Sequence, residues 1–159
     1  MSSTLVAYFS ASGITAELAR NLASVINADI YKIVPAQPYT DKDLDWTDRT
    51  SRSTVEMEDL NSRPKLADSG ANVEDYDTIF LGFPIWWYRE PSIIDTFLEY
   101  YDFSDKKIIP FCTSGGSAIG DTYKRIDVLT GGRANVDMGK RFSVNVSPDE
   151  LKTWAEQYI

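Results

Sequence analysis

Leu5-Val-Ala-Tyr-Phe9, followed by Ser10-Ala-Ser-Gly-Ile-Thr15 and the run Ala16 to Val25, sets the architecture of the chain. The first five residues have strand length and are rich in β-branched and aromatic side chains. A turn of small hydroxyl residues and glycine ends them. Beyond it Leu18, Leu22, Val25 and Ile26 recur at helical spacing. Strand, tight loop and helix in that order expose backbone N–H groups at the positive end of a helix, beside several hydroxyls. This is an anion site, best suited to a phosphate, and it predicts a phosphorylated cofactor on Ser10 to Thr15.

Downstream, Asp29 to Val34 reads as a second strand ended by Pro35. Residues 35–72 hold scattered Pro, Asp, Ser, Thr and Arg with few apolar anchors. They form a long surface excursion, with one or two helical turns expected over Thr54 to Leu60 and with Tyr39, Trp46 and Met57 as tethers. Asp77 to Phe83 is nearly all apolar, the mark of a strand covered on both faces. Pro91 opens a helix over Ser92 to Tyr101. Lys107 to Thr113 is a fourth strand, and the Ser114-Gly-Gly-Ser117 turn opens a helix to about Leu129. Segments 134–138 and 141–146 read as a short, interrupted fifth strand. Ser147, Pro148 and Glu150 together spell the start of a last helix.

Strands alternating with helices predict an α/β fold with a parallel sheet and helices on both faces. Ligands in such sheets bind beyond the strand C-termini. Three loops meet there: 10–15, 84–90 and 113–121. The first lacks the Lys-[Ser/Thr] pair of a nucleoside triphosphate loop and the spaced glycines of a dinucleotide loop. The second carries Trp86, Trp87 and Tyr88, which cannot all point into the core and offer a stacking wall for a flat ring. The third, Thr113-Ser-Gly-Gly-Ser117, brings backbone polar groups close enough to bond the edge of a heterocycle. Together they call for a ligand with a phosphate at one end and a flat heteroaromatic at the other, a description that flavin mononucleotide (FMN) fits.

At 159 residues the chain is expected to be one domain, 1–159. Its net charge of −8 argues against nucleic acid and anionic membrane and suits basic protein partners. It has no histidine, which removes His-based triads and His-rich metal sites. Cys112, the single cysteine, cannot form an internal disulfide and reads as a buried strand residue. With no apolar run of membrane-spanning length and no export pattern, a cytoplasmic location is expected.

Three motifs, Tyr8-Phe-Ser-Ala-Ser-Gly-Ile-Thr15, Gly82-Phe-Pro-Ile-Trp-Trp87 and Thr113-Ser-Gly-Gly-Ser-Ala-Ile-Gly120, stand in this order over essentially the whole chain. In them the sequence resembles the flavodoxin family, and most the flavodoxin-like proteins with a G-x-P-I-W-W second loop. The resemblance implies a three-layer sandwich with a five-stranded sheet of order 2-1-3-4-5 and FMN at its C-terminal edge. By that analogy Ser10, Ser12, Gly13, Ile14 and Thr15 hold the phosphate. Pro84, Ile85, Trp86, Trp87 and Tyr88 flank the isoalloxazine. Thr113, Ser114, Gly115, Gly116 and Ser117, with Asp121, line its polar edge. Ile14 stands where the family's T-G-N-T pattern has Asn, and Trp87-Tyr-Arg89 where many relatives carry a glycine. The acidic composition predicts a lowered flavin potential. The expected function is electron transfer between redox protein partners as a monomer or homodimer, without catalytic side chains or metal. The alternative is an FMN-dependent NAD(P)H:quinone-type reductase, with the 35–72 excursion building its substrate pocket or a dimer contact.

Overall fold

The computed structural model describes residues 3–114, 118–143 and 145–159. In chain order the elements are β1 (Thr4–Tyr8), α1 (Ile14–Ile26), β2 (Asp29–Lys32), α2 (Arg52–Glu58), β3 (Thr78–Pro84), α3 (Ser92–Tyr100), β4 (Lys107–Thr113), α4 (Thr122–Leu129), β5 (Asn135–Val136), β6 (Lys140–Arg141) and α5 (Pro148–Ala155). The strands pair in parallel in the order β2-β1-β3-β4-β5, with β6 also on β4. The sheet is the expected 2-1-3-4-5 arrangement.

The alternation of side chains along each strand sorts the core into two layers. Leu5, Ala7, Ile79, Leu81, Phe83 and Ile108 pack with Ile93, Ile94, Phe97 and Leu98 of α3 and Ile126 of α4. Val6, Tyr8, Phe80, Ile109 and Phe111 pack with Leu18, Leu22 and Ala23 of α1 and Leu151 and Trp154 of α5. Both faces of β1, β3 and β4 are therefore covered, which is why their sequences read as continuous apolar runs. Gly82 is required by this packing, because a Cβ there would lie 2.3 Å from the Phe111 ring.

The fifth strand is split by Gly139. Its φ is +80°, and a Cβ would sit 2.3 Å from the Pro110 carbonyl oxygen, so the chain can press against β4 only at a glycine. Two two-residue pieces pair on either side of it. The last helix starts as expected, with the Ser147 hydroxyl accepting from the Glu150 N–H at 3.1 Å. The fourth helix does not. It begins at Thr122, after Gly120 at φ +58°, rather than directly after the Ser114–Ser117 turn, which agrees with the third loop's expected span of 113–121.

The excursion is closed at its base, where the Ala36 N–H donates to the Lys65 carbonyl at 2.7 Å and the Ala67 N–H to the Val34 carbonyl at 2.8 Å. Between these ends Asp45, Asp48 and Ser51 accept from the N–H groups of Thr47, Thr50 and Thr54, giving successive local turns and the cap of α2. Capped by Ser51, the helix therefore starts at Arg52, two residues before the expected Thr54. Tyr39 and Met57 are tethers. The Tyr39 ring meets Phe9 and Trp86 edge-on at centroid distances of 5.7 and 5.4 Å, and Met57 is buried. Trp46 is not a tether: it is 74% exposed, because the turns around it bond only to themselves and hold it away from the core.

Candidate functional site

Strand register brings the three loops to one rim. Tyr8 lies beside Gly82 and Pro84 beside Thr113. The β3–β4 ladder runs one residue further, with the Ile85 N–H donating to the Thr113 carbonyl at 2.9 Å.

In the first loop the Ser10 hydroxyl accepts from the Gly13 N–H at 3.1 Å and folds the turn. Gly13, at φ +93°, precedes α1 and no side chain caps that helix. Its leading N–H groups are therefore available to an anion. Ile14 is half exposed and, with Ser12, faces a slot of about 350 Å³. Thr15 points elsewhere. Its hydroxyl is buried and shares a 2.8 Å hydrogen bond with the Thr113 hydroxyl, tying the first loop to the third.

Pro84, Ile85 and Trp86 form the opposite wall of the slot, and Thr113 and Ser114 line it further along. Trp87 and Tyr88 are not on it. They face a second cavity of about 510 Å³ on the other side of Pro84–Trp86, under the excursion. Asp121 lies on neither cavity; it is exposed and 3.8 Å from the Lys124 ammonium. Gly115, Gly116 and Ser117 lie outside the described residues.

Sequence reasoning missed Arg141. From β6 it lines the slot and donates to the Ser114 hydroxyl at 2.8 Å and the Ser114 carbonyl at 3.1 Å. It is the only charged side chain on the slot among the described residues, and it favours an anionic ligand. The signal was there in Gly139-Lys140-Arg141, a basic pair at the C-terminal end of a sheet strand.

A second feature lies just behind the second loop. Trp86 and Arg89 exchange backbone hydrogen bonds of 3.0 and 3.2 Å around Trp87 (φ +45°) and Tyr88 (φ +67°), a tight turn of the left-handed class. Arg89 reaches back to the carbonyls of Glu56 and Met57 at 3.3 and 3.2 Å, fastening the turn to α2. Next come two fully buried carboxyls, Glu90 and Asp95, the latter 2.8 Å from Arg125 and 3.5 Å from Arg89. Burial, and the charge of Asp95 beside it, push the Glu90 carboxyl far above the usual carboxylate range. Cys112 is buried as expected, and desolvation pushes its thiol up to about 12, so it is no nucleophile. Among the described residues no cluster of side chains could hold a metal ion, and no helix is long and apolar enough to cross a membrane.

A parallel sheet of this order, with a phosphate-type helix start and an aromatic wall meeting at its C-terminal rim, defines a doubly wound nucleotide-binding class of protein. The particular family follows from comparison with known proteins. A family model described as Flavodoxin matches residues 3–158, and the chain belongs to that family. Among solved structures it is similar to a flavoprotein candidate from Bacteroides eggerthii, with 41% identity, a TM-score of 0.92 and coverage of 99% of this chain and 98% of that one. A flavoprotein candidate from Bacteroides uniformis is similar at 44% identity and a TM-score of 0.91, covering 98% of each chain. A flavoprotein in complex with FMN from Lactobacillus acidophilus shares the fold at 21% identity and a TM-score of 0.70, over 98% of this chain and 99% of that one. A search of curated proteins returned no match.

Proposed function

We propose that this chain binds FMN in the slot between its three rim loops and passes electrons between protein partners. The observation that carries the reading is the uncapped start of α1 facing a slot walled by Pro84, Ile85 and Trp86, with Arg141 at its side. These residues fit the group. The N–H groups after Gly13 and the Ser12 hydroxyl suit a phosphate monoester, and the apolar wall suits a flat ring. The FMN-bound relative from Lactobacillus acidophilus and the family itself support the same ligand.

The flavin supplies the electron chemistry; the protein binds, orients and tunes it. Ser10 and Thr15 hold the first loop in shape, Ser12 and the helix start take the phosphate, and Ile85 and Trp86 set the ring plane. Arg141 stabilises negative charge in the slot and opposes the potential-lowering effect of the acidic surface. The surface of net charge −8 steers basic protein partners by long-range attraction. We assign the protein to the cytoplasm, where the lone buried thiol of Cys112 stays reduced.

The second cavity favours one further reading, an NAD(P)H:quinone-type reductase, since a carrier needs no room beside its flavin. FMN titration of the purified protein is the first test. Quenching of FMN fluorescence with one equivalent bound supports the assignment, and a protein that stays colourless overturns it. NADPH and a quinone added to the loaded protein then separate carrier from enzyme: sustained turnover establishes the enzyme.

A further inference from the structure

Trp86, on the wall of the slot, is met edge-on by two rings that do not line the slot themselves. Phe9, directly after β1, lies at a centroid distance of 5.7 Å and an interplanar angle of 86°. Tyr39, from the excursion, lies at 5.4 Å and 79°. Phe9 and Tyr39 also meet each other at 5.7 Å, so the three rings close into one cluster. Edge-on contacts of this kind fix the plane of a ring as well as its place.

Tyr39 is in turn fastened by α2. Its hydroxyl donates to the Glu56 carboxylate, and burial together with that bond pushes the phenol far above its usual value, so it stays a protonated donor. The Arg52 guanidinium lies 3.9 Å from the Tyr39 ring centroid and bonds Glu56 at 2.9 Å. Arg52 also donates to the Gln37 carbonyl at 2.7 Å, holding the chain just before Tyr39. The main-chain carbonyl of Glu56 accepts from Arg89 and from the Ser92 hydroxyl, each at 3.3 Å. One residue of the excursion thus grips both ends of the Trp86–Arg89 turn, Trp86 through Tyr39 and Arg89 directly.

We propose that Tyr39 is a positioning residue for the flavin, fixing the ring plane of Trp86 before the ligand arrives, with Arg52 and Glu56 of the excursion as the frame that holds it. Trp86 is only half-buried, so packing from the slot side does not fix its rotamer. A wall that is already ordered gives up no side-chain freedom when a ligand lands on it, and the affinity rises accordingly. Tyr39 lines neither cavity and acts only through Trp86. The inference rests on the flavin reading and deepens it, giving the excursion a part in cofactor binding.

The test is a double-mutant cycle on FMN affinity, read by fluorescence quenching, with the visible circular dichroism of the bound flavin as a second signal. Tyr39→Leu is expected to weaken FMN about fivefold and to change the dichroism, while Tyr39→Phe, which keeps the ring, loses about twofold. In a Trp86→Ala background neither substitution is expected to weaken FMN further. Ile108→Val, in the core near the start of β4 and away from the rim, is the control: it lowers Tm and leaves FMN affinity unchanged. Thermal melting checks that each variant folds, and if Tyr39→Leu does not, Tyr39→Phe carries the cycle. Wild-type affinity in the Tyr39 variants overturns the proposal. So does a loss that persists in full without Trp86, a loss in Tyr39→Phe as large as in Tyr39→Leu, or an equal loss in Ile108→Val. A wild-type protein that takes no FMN sinks the flavin reading and this inference with it, whereas the other failures leave the flavin reading standing.

Discussion

The first and second loops leave neighbouring strands at the same rim, and they solve the same geometric problem in opposite ways. The first turns through Gly13, whose φ of +93° is free of steric cost and whose missing side chain leaves open space. The second turns through Trp87 and Tyr88, both in left-handed backbone, in a turn that ordinarily takes Asn-Gly. Each such residue costs about 1 kcal/mol. The difference follows from what each loop presents. A phosphate is taken largely by backbone N–H groups, so the first loop can turn through a residue that has no side chain. An aromatic wall is made of side chains, so the second loop cannot use glycine. The second loop must then be held from outside, and the Arg89 clamp onto α2 with the buried carboxyls behind it does so.

The largest expected effect attacks that support. Arg89→Met removes one of the donors to the Glu56 carbonyl and the guanidinium donor to the Met57 carbonyl, and it leaves the buried Asp95 carboxylate with less compensating charge. Breaking a buried ionic cluster in this way is expected to destabilise the fold by about 3 kcal/mol, read from urea denaturation. A loss no larger than that of an ordinary surface arginine would mean that the turn stands unaided and the comparison fails.

Next comes pH. The Glu90 carboxyl is raised from 4.5 to about 8 by burial and by Asp95. Between those values the folded protein holds a proton that the unfolded chain has released. Stability from this group is therefore complete below the lower value and is lost as pH climbs toward the upper one. Urea midpoints measured across that window should fall with rising pH, and Glu90→Gln should flatten the slope. A slope that rises, or that persists in the variant, removes Glu90 from the account.

What the sequence made legible divides along the same line. Strand order, both core layers and the meeting of three loops follow from local pattern: apolar runs, helical spacing, and glycine or hydroxyl residues at strand ends. The supports of the second loop were hidden because they are long-range. Arg-Glu-Pro-Ser reads as a helix start, and nothing nearby in the chain says that Glu90 will be fully buried beside Asp95 and the distant Arg125. Arg141 escaped notice for a related reason, since its contact with Ser114 exists only because Gly139 splits the fifth strand. Trp46 was misread because hydrophobicity says what a side chain favours, and the Asp-Thr turns around it decide where it points. That Trp87 and Tyr88 line a second cavity depends on two φ angles that no side-chain pattern encodes.

The two smallest effects set the loops directly against each other. Gly13→Ala adds a methyl group that meets nothing within 4 Å, so the whole penalty is backbone strain. It is expected to cost about 1 kcal/mol of stability and to weaken FMN binding, because relaxing the strain tilts the N–H groups of the helix start. Tyr88→Gly does the reverse. Its side chain is 83% exposed, so little burial is lost, while relief at φ +67° exceeds the added chain entropy of glycine. The net gain is expected to be about 0.5 kcal/mol, a rise in Tm of about 1–2 °C. Opposite signs at two left-handed positions would establish that the second loop carries its strain for the sake of the rings it displays. A fall in Tm for Tyr88→Gly would instead mean that the tyrosine ring contributes packing beyond its exposed position, and the turn would no longer count as strained.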